Sequence, residues 1–327
     1  MKKASFEQQS EPRWREVEEL LEHLEKDAAN TEAARLPALF RQVCSDLALA
    51  QHRMYGRRLC DRLNLLVVRC YSQLRKGMGQ GWENIVGFFL HTFPRAVRKD
   101  WRLVAVALSL FWIPFGAMIL ASQHAPHWVF SVLEPAEIEM MDGMYGEDAE
   151  PVDYMHKKYG GVGTSFAMFS YYVQHNIGIG LRTFGMGILF MVGALYELAW
   201  EGVKLGAMFG YVHYTGNADK IWRFAISHSS FELTGLIICG AAGMKLGLGV
   251  LFPGRLPRAE SIARAGREAL PLLIGGVFMV FLAAIVEGFW SPTHWIPVGV
   301  KYAFGISMWG FWLAYFLTFG WGRRRDA

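Results

Sequence analysis

Two acidic residues lie where lipid would make them costly. Glu232 follows His228 by four residues in Phe224-Ala-Ile-Ser-His228-Ser-Ser-Phe-Glu232-Leu-Thr-Gly235, and an apolar stretch continues from there to residue 252. A carboxylate in hydrocarbon must be paired, neutralised or turned toward a polar cavity. At helical periodicity residues i and i+4 share a face, so these two side chains can touch. Glu287, in Ala283-Ala-Ile-Val-Glu287-Gly-Phe-Trp, repeats the anomaly near the end of a second apolar run. Asn176 and Arg182 place an amide and a guanidinium near the start of a third. Arg182 is expected to reach a carboxylate, with Glu232 or Glu287 the natural candidate, as a structural ion pair.

Three chemistries fit this intramembrane set. A His228–Glu232 hydrogen-bonded pair can lock helices together, which is the default for polar groups between membrane helices. The same groups can relay protons or line a solute path. They can also hold a metal: the His-x-x-x-Glu spacing supplies two ligands on one face, and a third must come from elsewhere, such as Glu287, His175 or His213. The His-Glu-x-x-His signature of zinc proteases is absent. No Gly-x-Ser-x-Gly elbow or phosphate loop occurs, and the adjacency of Ser229 and Ser230 to His228 does not give nucleophile geometry. A non-enzymatic chain with no catalytic residue, no metal and no cofactor is the expectation.

The elements that must position these groups follow from composition. The 327 residues are 53% hydrophobic, 14% aromatic and 19% charged, with a positive mean hydropathy. Charges crowd into the first hundred residues, an acidic connection and the last few positions. The expected fold is all-α: a cytoplasmic helical domain over residues 1–100, then a polytopic membrane domain over 101–327, with an acidic extracytoplasmic loop at 122–165. That loop, with Glu134, Glu137, Glu139, Asp142, Glu147, Asp148, Glu150 and Asp153, reads as solvated, with a short amphipathic helix through 130–141. Its spacing does not match an EF-hand. The net charge of +4 is no nucleic-acid signature. The four cysteines show no metal-ligand spacing and fit a reduced compartment. No apolar region marks a cleavable signal at the start.

In the first domain, Trp14, Val17, Leu20, Leu21 and Leu24 recur at helical spacing after an expected helix start at Glu11-Pro12. Arg57, Arg58, Arg62 and Arg69 form a solvated face or a surface for anionic lipid or a partner. Gly77, Gly79 and Gly81 are expected to interrupt the helical pattern. Arg95, Arg98, Lys99, Trp101 and Arg102 make a basic collar before the first long apolar run. Spans are expected at 103–121 (kinked at Pro114), 172–200, 202–214, 224–252, 270–287 and 298–321. The third is short of the roughly 17 residues that a crossing needs. Counting it as a crossing keeps basic residues on one side, including Arg255–Arg267 and the tail at 323–325. About six transmembrane helices with both termini cytoplasmic are therefore expected. Gly202, Gly206 and Gly210 form a small-residue stripe, joined by Gly240 and Gly243; it packs within the chain or forms the seam of a homo-oligomer.

The membrane half resembles the stage II sporulation protein M family, in its branch from non-sporulating bacteria. The resemblance rests on Asn176-Ile-Gly-Ile, Gly187-Ile-Leu-Phe-Met-Val-Gly193, Glu201-Gly-Val-Lys-Leu-Gly206, His228-Ser-Ser-Phe-Glu232-Leu-Thr, Gly240-Ala-Ala-Gly243-Met-Lys-Leu-Gly247 and Glu287-Gly-Phe-Trp-Ser-Pro292, with Phe93-Pro94-Arg95-Ala-Val-Arg98 before the first span. Where the family has an Asn-Gly pair, this chain has Glu201-Gly202. The sporulation member works with two peptidoglycan-degrading partners and is regarded as a scaffold rather than the hydrolase. The resemblance thus implies a non-enzymatic scaffold in the bacterial inner membrane. Its expected partners are the lipid bilayer and membrane or envelope proteins, peptidoglycan hydrolases among them, and no nucleic acid. The alternative is a transporter or channel component whose His228, Glu232 and Glu287 line a polar cavity.

Overall fold

The computed structural model describes residues 3–26, 34–159, 164–293 and 295–321, so the basic tail at 323–325 lies outside it. The described residues contain helices and no strand. They fall into two compact units, residues 1–87 and 88–327.

The first unit is built from α1 (Lys3–Lys26), α2 (Leu36–His52) and α3 (Arg57–Gly87). Trp14, Val17, Leu20, Leu21 and Leu24 are buried against Leu36, Leu39, Val43, Leu59, Leu63, Leu66 and Cys70. Each fully buried Leu or Val contributes about 1.5–3 kcal/mol relative to exposure. Helix α1 begins before the expected start and carries Pro12 in its interior. The glycines expected to interrupt α3 lie within it, each at a propensity cost of about 1 kcal/mol.

Two of the arginines on α3 are committed to ion pairs with α1, while Arg57 and Arg58 stay exposed. Arg62 forks between Glu11 and Glu18 of α1 at 2.8 and 3.1 Å, and Arg69 meets Glu25 at 3.0 Å. The Arg62 hydrogen bond holds the Glu11 carboxyl below its ordinary value. Burial pushes the Cys70 thiol up to about 11. On α2, Asp46 accepts from the Trp14 indole at 2.9 Å and pairs with Arg13 at 2.5 Å.

The second unit opens with a π-helical turn, Phe88–Thr92, and α4 (Phe93–Lys99). Residues 88–100, grouped by their charge with the first domain, pack on the second unit instead: Phe93 and Val97 are buried with Leu272, Met279, Trp312 and Tyr315. Then follow α5 (Trp101–His124), α6 (His127–Phe130), α7 (Pro135–Tyr145), α8 (Pro151–Tyr159), α9 (Thr164–Met186), α10 (Val192–Tyr214), α11 (Ala218–Ala225), α12 (Ser229–Leu251), α13 (Arg258–Phe289) and α14 (Val298–Thr318). Among the described residues three of these, α5, α12 and α13, are long and apolar enough to cross a membrane. Helix α12 is the centre of the bundle: 78% of its apolar window is buried, against 22% for α5.

Two element boundaries differ from the apolar pattern. The run at 172–200 is two helices joined by a tight turn at 187–191, where Phe190 and Met191 have positive φ. The short run at 202–214 is accordingly the second half of α10, a helix of 23 residues. The run at 224–252 breaks at residues 226–228, so His228 sits immediately before α12. Continuous hydrophobicity does not mark a turn when the turn residues are themselves apolar.

The small residues pack within the chain. A β-carbon on Gly202, Gly206 or Gly210 would strike Phe111, Phe115 or Ser122 of α5, so the stripe seats α10 on α5. Gly240 meets Leu198 of α10, and Gly243 meets Thr183 and Phe184 of α9. Close backbone approach of this kind replaces the missing hydrophobic drive between helices in lipid.

Candidate functional site

The break before α12 brings four polar residues from three helices to one place. The Glu232 amide bonds to the His228 carbonyl at 3.1 Å, so the i, i+4 relation survives at the helix start. His228 Nε2 lies 3.7 Å from Glu232 Oε2 and 4.0 Å from Glu287 Oε1. Both separations exceed a hydrogen bond. The other ring nitrogen, Nδ1, is 2.9 Å from Ser291 Oγ. Asn176 Nδ2 donates to Glu287 Oε2 at 3.2 Å, and Tyr172 stands beside the same carboxylate. His228, Glu287 and Asn176 are buried, and Glu232 is half-buried.

Of the five residues expected to cluster, four do so; Arg182 does not join them. It pairs instead with Glu197 and Glu201 of α10, each at 2.9 Å. The turn at 187–191 folds α10 back along α9, which puts the start of α10 opposite the end of α9. Arg182 therefore meets acids from just across the turn rather than those of α12 or α13. His175 and His213 are exposed and fall outside the cluster.

Two cavities adjoin at Glu232. One, of about 180 Å³, is lined by His228, Glu232, Glu287, Asn176, Tyr172 and several methionines, including Met140, Met144 and Met208. The other, of about 310 Å³, is lined by Glu232, Asn176, Arg182, Glu201, Lys204 and Glu137 among others. Together they form an interior flanked by α9, α10 and α12, where these ionisable side chains are set among methionines and aromatic residues.

The acidic connection covers this interior with its apolar face, while Glu139, Glu147, Asp148 and Asp153 stay exposed. Met141, Met144 and Tyr145 of α7 are buried with Tyr172, Phe209, Phe224 and Ala284. Burial pushes the Tyr145 phenol above its ordinary value. Three of the acids have partners: Glu137 with Lys204 at 2.6 Å, Glu150 with Arg223 at 3.1 Å, and Asp142 accepting from the Tyr211 hydroxyl at 2.7 Å. Lys220 donates to the Gly146, Glu147 and Ala149 carbonyls at 2.5–2.9 Å. Helix α7 starts on Pro135, and the Glu134 amide donates to Glu137 Oε2 at 3.0 Å.

Sequence reasoning alone missed Ser291, Glu197 and the methionines of α7. Each carried a spacing signal. Ser291 follows Glu287 by four residues, Glu197 precedes Glu201 by four, and Met140, Met141 and Met144 fall on one helical face.

Family comparison agrees with this layout. A family described as stage II sporulation protein M matches residues 104–292. A second, described as a domain of unknown function (DUF8413), matches residues 4–76. Searches of curated proteins and of solved structures gave no match.

Proposed function

The chain belongs to the stage II sporulation protein M family, and on that premise we propose that it is a multi-pass protein of the bacterial inner membrane that passes a small polar or cationic solute through its bundle, as a transporter or channel component. The observation that carries this reading is the meeting at Glu232 of two cavities that also border His228, Glu287, Arg182, Glu201 and Lys204. Ionisable groups inside spans are costly and recur on solute and proton paths.

The layout of the helix ends supports six crossings. Helices α9, α10 and α14 have 23, 23 and 21 residues, long enough for the roughly 17–25 residues of a span. Arg98 of α4 donates to the Phe316 carbonyl at 2.6 Å, and Arg95 to that of Gly320 at 2.5 Å. The start of α5 and the end of α14 therefore lie close together, which supports an even number of crossings. Lys245, late in α12, pairs with Asp100 at 2.6 Å and brings that helix end to the same side. Bases gather there and the acidic α7–α8 segment lies opposite, so the collar side is cytoplasmic.

The test is flux in liposomes containing the purified chain, under an imposed proton or cation gradient. The parent should conduct, and Glu232→Gln should lower the rate roughly tenfold or more. A folded parent with no flux contradicts the proposal.

One observation favours a scaffold as the second reading. Leu65, Val68 and Tyr71 of α3 are each more than half exposed and share a helical face. They would serve to dock an envelope protein. An envelope partner that co-purifies with the parent, and is lost when these three become serine, would support it.

A further inference from the structure

We propose that His228, Glu232 and Glu287 bind one divalent transition-metal ion of the zinc or manganese class inside the bundle. One ligand atom from each residue can be chosen so that all three lie within 4.8 Å of one another. Ligands about 2.0–2.2 Å from a tetrahedral ion sit about 3.3–3.6 Å apart. The observed 3.7 and 4.0 Å from Nε2 to the two carboxylates are a few tenths of an ångström wider. They are too long for direct hydrogen bonds and close to what an interposed ion requires.

The neighbouring bonds leave the right atoms free. His228 has its Nδ1 engaged by Ser291, which orients the ring and turns Nε2 toward the carboxylates. Glu287 has Oε2 engaged by Asn176, which leaves Oε1 toward His228. Glu232 reaches the same point from one turn into α12, beside the smaller cavity, which leaves room for a water or solute as a further ligand. One imidazole and two carboxylates suit a borderline or hard first-row ion rather than a soft one.

Charge matches as well: carboxylates that ligate an ion are ionised, so with a neutral imidazole the ligand set would carry two negative charges. Arg182, the guanidinium expected to pair with these acids, is committed to Glu197 and Glu201, and Arg223, nearest in sequence to His228, is committed to Glu150. A divalent cation makes the set neutral and relieves the repulsion between Glu232 and Glu287. This inference does not depend on solute flux, because a resident ion can equally hold α12 and α13 together.

The experiment uses the full chain in detergent, stripped with chelator and dialysed against Zn²⁺ or Co²⁺. Elemental analysis should find about one ion per chain, and the cobalt form should show visible ligand-field bands. Ser291→Ala should weaken binding about 10–100-fold while keeping shifted bands. Glu232→Gln and His228→Ala should abolish the bands, and Arg182→Gln should keep them. A monodisperse parent that binds neither ion overturns the proposal. Binding that survives both Glu232→Gln and His228→Ala also overturns it, since the ion would then sit elsewhere. If His228→Ala fails to fold, Glu232→Gln decides, because that side chain borders open space. Flux without metal would defeat this inference alone, and metal without flux would defeat only the transport reading.

Discussion

Glu11 and Arg62 show how single residues set the acid limit of the first unit. The Arg62 hydrogen bond lowers the folded pKa of Glu11. A depressed carboxyl contributes stability above its unfolded value, near 4.5, and loses it as pH falls through the lower folded value. Opening of this unit should therefore rise below about pH 4.5, and Glu11→Gln should flatten that rise. Cys70 supplies the reporter. It is fully buried and its thiol is pushed up to about 11, so it should resist alkylation in the native chain while Cys44 and Cys60 react. A pyridyl disulfide, which reacts in acid, can follow Cys70 across this range. Equal labelling of the three thiols at neutral pH would contradict the packing described. In the second unit, His228 and Glu232 were legible as a pair because i, i+4 spacing is local. The true partner of Arg182 was not, because it depends on where the chain turns.

At the scale of elements, hydrophobic period located the helices and misplaced their ends. The turn at 187–191 is made of Ile188, Leu189 and Phe190 beside glycine, so hydropathy runs through it unbroken. The acidic segment read as solvated because its charges dominate its composition. Its methionines and tyrosines are what pack; Glu137, Glu150 and Asp142 meet Lys204, Arg223 and Tyr211, while Glu139, Glu147, Asp148 and Asp153 stay exposed as expected. The glycine stripe left two readings open because close approach looks the same within a chain and between chains. Its contacts decide for α5. Gly206→Val should force α5 from α10 and lower stability by about 1–3 kcal/mol, read as an earlier thermal unfolding midpoint in detergent. Gly116→Ala, where nothing lies within 4 Å, should leave the midpoint unchanged or raise it, since alanine is the better helix former. Equal shifts for the two would argue against this packing.

For the whole molecule, composition separated a helical, charge-rich first part from an apolar second part, and the structure has two compact units. The collar belongs with the second unit because Phe93 and Val97 of the same helix are buried there, while Trp101 stays exposed. The family match covers most of that second unit. What no periodicity could reveal is the interior, since cavities arise from how helices lean together. Lys204→Ala should free Glu137 from its 2.6 Å pair at the larger cavity and quicken protease cleavage within 135–159 in vesicles with that side exposed. Cleavage no faster than in the parent would show that α7 is held by its apolar packing alone.

The most direct measurement concerns water in the bundle. Met208 borders both cavities, whereas Cys239 is fully buried in α12. In native membranes, Met208→Cys should react with a small charged methanethiosulfonate while Cys239 stays unmodified, as read by mass spectrometry. If Met208→Cys is as inert as Cys239, the polar interior is closed to solute and the proposed passage through the bundle is wrong.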